Sequence, residues 1–403
     1  MTTSTNNGRD AKISDLLGIS KQASDLISNQ VKIRYTESTS VGSSRFMRVL
    51  FPKRSNDAML DCRSIRMRFT FKMTSTDPLI RPGSSDIRCI INRIRVLSGS
   101  SVIHDLTEAS SAFTLESLCN TSMYDSKYQR KIEGNTLLDG VGQTNNTEYI
   151  ISVTPKGTLL NSDILLPLSR MSDLSLEYYT ESPSRALYSP ANDTTADFTL
   201  NNIEFLCDYI QSPSITNYFN QNGVRFHCMD LVHRYNAILS QEHVLRLSSS
   251  HSSLNGILNV IRVASDVTDI SKGSKYESFY SGANRDKYNL LINNQLLYEQ
   301  DIDSTQQTWK ELVSLFPNVK SSVFFDSAYA TTKNILATST LSAPVDFRSK
   351  IISGVNTSQL NSDITYRIRL TAAPAVALRS DSFLYSDVYV SLPATGRDLV
   401  VKF

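Results

Sequence analysis

Five histidines (His104, His227, His233, His243 and His251) and five cysteines (Cys62, Cys89, Cys119, Cys207 and Cys228) are the residues best suited to metal or nucleophilic chemistry in this 403-residue chain. His227-Cys228 with His233 is where such donors crowd together. A structural zinc site needs ligands at characteristic spacings, and this spacing matches none. On a strand, Cys228 points away from the side that His227 and His233 share. No CxxC pair occurs, and the odd cysteine number predicts buried free thiols made in a reducing compartment. Asp208, Asp230, Asp301 and Asp303 read as turn and cap residues rather than as an acid/base pair. The phosphate-loop, dinucleotide, nucleophile-elbow and metalloprotease motifs are all absent. The residues predict no catalytic site, no metal and no cofactor.

The elements that position these residues are strands. Hydrophobic residues make up 40% of the chain and charged residues 20%, which excludes disorder. Eighteen Tyr and 16 Phe beside one Trp, with many Ser, Thr and Asn, favour strands joined by polar turns. No apolar run approaches the roughly 20 residues of a membrane helix. The first residues, MTTSTNNGRDAK, lack the apolar centre of a signal peptide, so the product is expected to be made inside the cell and not secreted. Four glycosylation sequons, at Asn120, Asn145, Asn192 and Asn356, are therefore read as chance.

Taken in order, Ile13–Ile27 has apolar residues at helical spacing, including Ile13, Leu16, Leu17 and Leu26. It is expected to be an amphipathic helix in an N-terminal arm, packed under its own barrel or gripping a neighbouring subunit or an inner membrane. Strands are expected at Val31–Tyr35, Phe46–Phe51, Cys62–Met73, Asp86–Leu97 and Tyr149–Val153, with a helix at Ser111–Lys127. In Cys62–Met73, Ile65, Met67, Phe69, Phe71 and Met73 alternate with Arg66, Arg68, Thr70 and Lys72, giving one core face and one cationic face. Gln211–Ser214 reads as a linker. Beyond it come strands at Val224–Leu231, His243–Leu247, Ile257–Val263, Tyr288–Leu297, Ser322–Phe325, Val345–Ile352, Ile364–Leu370, Phe383–Leu392 and Leu399–Phe403. A second helix is expected at Asp303–Phe316, stopped by Pro317. Each half thus holds about eight strands and one inserted helix.

The stretch Asp163–Asp208 carries a resemblance. The apolar Ile164–Leu168 with Pro167, the turn pair Ser172-Asp173, and Leu174, Leu176 and Tyr178 alternating with Ser175, Glu177 and Tyr179 lead into the strand Phe198–Tyr209. This resembles the end of the first barrel in double jelly-roll major capsid proteins of tailless icosahedral double-stranded DNA viruses. The resemblance implies an all-β chain of two jelly-roll β-barrels, each with a short inserted helix, plus an N-terminal helix. The expected domains are an arm over 1–30, a first jelly roll over 31–210 and a second over 211–403. The implied function is structural: homotrimers forming pseudo-hexagonal capsomers of a virion shell. Implied partners are neighbouring capsomers, minor or penton capsid proteins and an inner membrane. The alternative reading is a β-sandwich virion spike or adhesin that binds a receptor or glycan.

Charge is spread unevenly. Residues 31–98 hold 14 Lys or Arg against 5 Asp or Glu, a balance of +9 that leaves −7 to the rest of a chain whose net charge is +2. Arg66, Arg68 and Lys72, and on the next strand Arg88, Arg93 and Arg95, must be paired or exposed. An acidic neighbour or the partner barrel is the expected counterpart, with genome contact second. Trp309, on the second helix, is expected to be a core or interface anchor.

Overall fold

The computed structural model describes residues 27–35, 38–54, 58–84, 86–120, 146–248, 251, 253–273, 275–276, 285–292, 294–316, 335–339, 356–357, 363–393 and 396–402. The helix expected at Ile13–Ile27 lies outside these residues except for Ile27, which opens the first strand. The strands expected at Ser322–Phe325 and Val345–Ile352 lie outside them too.

The first half contains β1 (Ile27–Arg34), β2 (Ser40–Gly42), β3 (Phe46–Leu50), β4 (Ala58–Thr74), β5 (Arg81–Pro82), β6 (Ile91–Ser98), β7 (Ser101–Leu106), β8 (Thr147–Ser152), β9 (Leu165–Leu166), β10 (Leu174–Thr180), β11 (Leu187–Tyr188) and β12 (Asp197–Gln211). The second contains β13 (Val224–Ile238), β14 (Glu242–Ser248), β15 (Leu254–Val263), β16 (Arg285–Ile292), β17 (Gln295–Leu296), β18 (Ile335–Ser339), β19 (Asp363–Leu370), β20 (Leu378–Leu392) and β21 (Val400–Lys402).

Leaving out the short β2, β5, β9 and β11, the first half has eight main strands. Numbered one to eight along the chain, they pair in two antiparallel sheets of order 1-8-3-6 and 2-7-4-5. Strands β13 to β20, numbered the same way, give the same two orders. The inserted helices, Ala109–Asn120 and Thr305–Leu315, each lie between the fifth and sixth strands of their half. They correspond to the helices expected at Ser111–Lys127, of which 121–127 lies outside the described residues, and Asp303–Phe316.

Local sequence accounts for the elements. In β4 the apolar set from Ile65 to Met73 is buried while Arg66, Arg68, Thr70 and Lys72 face outward, as period-two patterning requires. The Thr305–Leu315 helix starts at a capping box: Ser304 accepts from the backbone N–H of Gln307, whose side chain reaches back to the N–H of Ser304. Ser304→Ala is expected to cost about 1 kcal/mol in chemical denaturation. An unchanged midpoint would mean that tertiary packing alone fixes this helix.

Three expectations are corrected. Asp86–Leu97 is not one strand. Asp86 accepts from the backbone N–H of Arg88 and pairs with its guanidinium, both buried, so the chain first makes a 3-10 turn over Ile87–Ile90. The polar β7 then follows after a tight turn at Gly99, whose φ is +61°. Gln211–Ser214 is not an open linker. Ser212 caps a helix at Pro213–Asn222, with Pro at its first turn and Gly223 at φ +66° ending it. Tyr288–Leu297 is a hairpin of β16 and β17, with Asn294 in a left-handed conformation between them.

Two apolar clusters form. One fills the second barrel between its sheets, from Leu245, Ile257 and Ile261 to Tyr366 and Leu384. The other fills the first barrel and continues without a break onto the outer face of β15 and β20, through Leu258, Val260, Phe383 and Tyr385. β15 and β20 are therefore buried on both faces over most of their length. β13 and β20 pair over all 15 residues of each strand, from Val224↔Leu392 to Ile238↔Leu378.

Candidate functional site

The most elaborate polar constellation lies where the barrels meet, and it is structural in design. The exit of β7 and the loop before β12 supply one side, while β13, β15 and β20 supply the other. Glu108, two residues past β7, is held at φ +55°, a conformation that costs a non-glycine residue about 1–2 kcal/mol. Its carboxylate is bound from both sides, by Arg185 of its own barrel and by Arg379 of the other at 2.8 Å. Asp381 then accepts from Arg379 at 2.7 Å, His233 at 2.9 Å and Arg262 at 3.1 Å. Arg262 also donates across the interface to Ser111 at 2.8 Å. A second bridge joins His104 of β7 to Asp230 of β13 at 2.6 Å, with His251 also beside Asp230. Backbone bonds run between the barrels as well: Ser189 to Ile270 at 2.9 Å, Lys275 to Gly83 at 3.0 Å and Met229 to Gly157 at 2.8 Å.

Buried charge is tolerated here because each group is met by its opposite. Burial pushes the Asp381 carboxyl up, but the bonds from His233 and Arg379 and the charge of Arg262 outweigh it and hold it below the usual carboxylate range. Asp230 behaves alike, held low against its burial by His104 and His251. Lys275, whose ammonium donates to the carbonyls of Ser184 and Leu187, is pulled by burial from its ordinary value to about 8. The folded chain thus binds this proton less tightly than the unfolded chain, and stability should rise with pH between about 8 and about 10.5. Lys275→Met is expected to flatten that rise relative to wild type in denaturation midpoints measured across the window. Parallel curves for the two proteins would contradict the assignment.

Of the residues first considered for chemistry, His104, His251 and Asp230 meet in the interface bridge, while the crowded sequence cluster does not converge. His227 is exposed and paired with Asp387 at 3.0 Å, His233 is committed to Asp381, and Cys228 is buried. Among the described residues no three donors are placed to hold a metal ion. All five cysteines are free and buried, and burial pushes the Cys119 and Cys228 thiols above their usual range.

The basic strands are paired largely within their own barrel. Arg68 meets Glu148 at 2.7 Å and Glu204 at 3.6 Å. Arg93 meets Asp105 at 2.5 Å, and Arg95 meets Glu177 at 3.0 Å. Arg88 is buried against Asp86, Ser117 and the ring of Phe113. This corrects the expectation of a neighbouring subunit or the partner barrel: for these four the counterpart is an adjacent strand or turn of the same barrel, because cross-strand pairing neutralises a charge at no entropic cost of association. Arg66 donates to the carbonyls of Arg63 and Ile65, and Lys72 is exposed. Trp309 is half-buried against the continuous core, beside Leu312 and Phe316. Ile13, Leu16, Leu17 and Leu26 lie outside the described residues.

Sequence reasoning missed Glu108, Arg262, Arg379 and Asp381. Their one signal is a charge placed inside or beside an apolar strand run, as in NVIRVA and RSDSF.

No protein-family model matches the sequence, and no curated protein matches it. Solved structures match its fold. The Faustovirus major capsid protein aligns over 91% of this chain and 90% of its own at a TM-score of 0.66 and 8% identity. A chain of the PBCV-1 virus capsid aligns over 94% and 97% at 0.65 and 12%. The mavirus major capsid protein aligns over 100% and 93% at 0.52 and 9%. The fold is a double jelly roll. At these identities the likeness is one of architecture. It agrees with the repeated strand order and with the repeated helix, and extends across both barrels of the double jelly roll.

Proposed function

We propose that this chain is the major structural subunit of an icosahedral virus shell. Three copies would form a pseudo-hexagonal capsomer with the barrels standing roughly normal to the shell. The observation that carries this reading is the repetition of one strand order in two barrels fused through a buried face. One chain with two similar barrels lets a trimer tile like a hexamer, and a rigid join between the barrels fixes the angle that tiling needs. The solved structures of like fold are capsid proteins by description, which supports the reading. Function then lies in lateral contacts, with no catalytic turnover, and the chain works in the virion after synthesis inside a host cell.

In this reading the chain divides into an arm over 1–26 and jelly rolls over 27–211 and 212–403; the boundaries expected at 30 and 210 shift because Ile27 already pairs with Gln211 in the first barrel. Neighbouring capsomers are its main partners, with minor or penton proteins and an inner membrane as further ones and direct genome contact less favoured. Ile13, Leu16, Leu17 and Leu26 would serve assembly, so deleting 1–26 is expected to leave folded capsomers that no longer close into shells. Normal shells from the truncated chain would remove that role. The reading as a whole is tested by electron microscopy of the overexpressed full chain. Hexagonal-looking capsomers and closed shells are expected. A dispersed protein that binds glycan in isolation would instead identify a spike or adhesin.

A further inference from the structure

Where the barrels meet, a hydroxyl, an imidazole and a carboxylate follow one another within hydrogen-bond reach. Thr107 Oγ1 lies 3.2 Å from His233 Nδ1, and His233 Nε2 lies 2.9 Å from Asp381 Oδ1. The three come from different elements: Thr107 follows the last residue of β7, His233 is on β13 and Asp381 is on β20. Their exposure is graded. Asp381 is fully buried and His233 nearly so, while Thr107 is open to solvent.

The charges around the ring fix which nitrogen is basic. Asp381 is met by Arg379 and Arg262 and stays ionised. An ionised carboxylate can only accept, so His233 Nε2 carries the hydrogen of that bond. In the neutral ring Nδ1 is then the lone-pair nitrogen, and it accepts from the Thr107 hydroxyl. The ring of Phe383 packs against the imidazole, 5.1 Å away between centroids. The other charged groups nearby are committed elsewhere: Glu108 to Arg185 and Arg379, and Arg262 to Asp381 and Ser111. A base within reach of a hydroxyl, and itself oriented by a third group, is the arrangement that activates an oxygen nucleophile. Thr107 also stands at a sharp turn from a strand into a helix. Glu108 has φ +55°, and the 12-residue helix Ala109–Asn120 begins directly after it. The N-terminal end of a helix favours negative charge developing beside it.

We propose that Thr107 is an acylation site that takes an acyl group from a small activated carboxylic ester, with His233 as its base and Asp381 as the group that positions the base. The proton of the Thr107 hydroxyl passes to His233 Nδ1 as Oγ1 bonds to the carbonyl carbon of the ester. The bond from that carbon to the alcohol oxygen then breaks, and His233 returns the proton to the departing alcohol. A threonine ester and a free alcohol result, with no oxidant or reductant involved. The step modifies the chain once and is independent of the shell-subunit reading, which survives its failure.

The probe is p-nitrophenyl acetate, applied to the full chain at neutral pH, with the acetylated positions followed over time by peptide mass spectrometry. Thr194 and Thr371 are exposed threonines outside the relay and serve as references. Thr107 should be acetylated about a hundredfold faster than either, the scale of general-base assistance. Thr107→Ser should keep the label at this position, and His233→Gln should lower it to the reference rate. The wild-type chain unfolded in guanidinium chloride should show no preference for Thr107, and this comparison needs no variant to fold. Labelling of Thr107 no faster than Thr194 and Thr371 in the folded wild-type chain overturns the proposal. So does a His233→Gln chain that labels Thr107 as fast as wild type.

Discussion

Replacing Asp381 with alanine is expected to cost about 3–5 kcal/mol and to loosen the join between the barrels, because removing one member of a buried ionic cluster strands the others. Asp381 is the node that His233, Arg262 and Arg379 share. Calorimetry should show a lower midpoint and a separate early transition for the second barrel. Asp381→Asn, which keeps shape and an acceptor, should cost less. The same cluster sets an acid limit. Asp230 and Asp381 are depressed in the folded state, so their contribution is present above the ordinary carboxylate value of about 3.9 and is lost as pH falls through it toward the folded values. An Asp381→Ala variant with an unchanged midpoint would mean that the apolar face alone holds the barrels together.

The second large effect is expected at Tyr385. It lies on β20, on the outer face of the second barrel, in edge contact with Phe316, the residue that caps the end of the second inserted helix, at 5.3 Å between centroids. Its phenol is pushed well up, first by burial and then by Cys119 and Glu116 of the first helix. Tyr385→Ala should open a cavity in the continuous core and cost about 3–5 kcal/mol, as large aromatic deletions do. Tyr385→Phe keeps the ring and should stay within about 1 kcal/mol. Similar losses from both variants would place the stabilisation in the hydroxyl rather than in packing.

Strands with one wet face were legible. β4 from Ile65 onward and β19 alternate, since solvent demands polar residues at every second position, although β4 starts four residues earlier than expected, at Ala58; β10 alternates in sequence but is buried on both faces, with Ser175 and Glu177 covered. The extension of β13 to Ile238 and the start of β20 at Leu378 were not legible. There, polar residues such as His233 and Asp381 face a second barrel rather than water, which erases the alternation that marks a strand. β7 was hidden by its brevity and by His104 and Asp105 within it, although Gly99 marked the turn before it. The helix at Pro213–Asn222 was hidden because Ser-Pro reads equally as a linker and as a helix start. The interface cluster was illegible for a different reason. Glu108, Asp230, Arg262 and Asp381 are brought together by the fold from distant parts of the chain, and no local spacing announces them. The surplus of cations in residues 31–98 was visible, but not that Arg68 of β4 and Arg93 and Arg95 of β6 would find partners on adjacent strands.

In the proposed capsomer one chain supplies two of six quasi-equivalent barrels. Cryo-electron microscopy of the purified full chain, with its mass measured in parallel, tests this most directly. The expected particle has three times the 45.0 kDa chain mass, and its end-on class averages show six lobes of nearly equal size. A monomer, a dimer, or a trimer whose end-on averages show three lobes would contradict it.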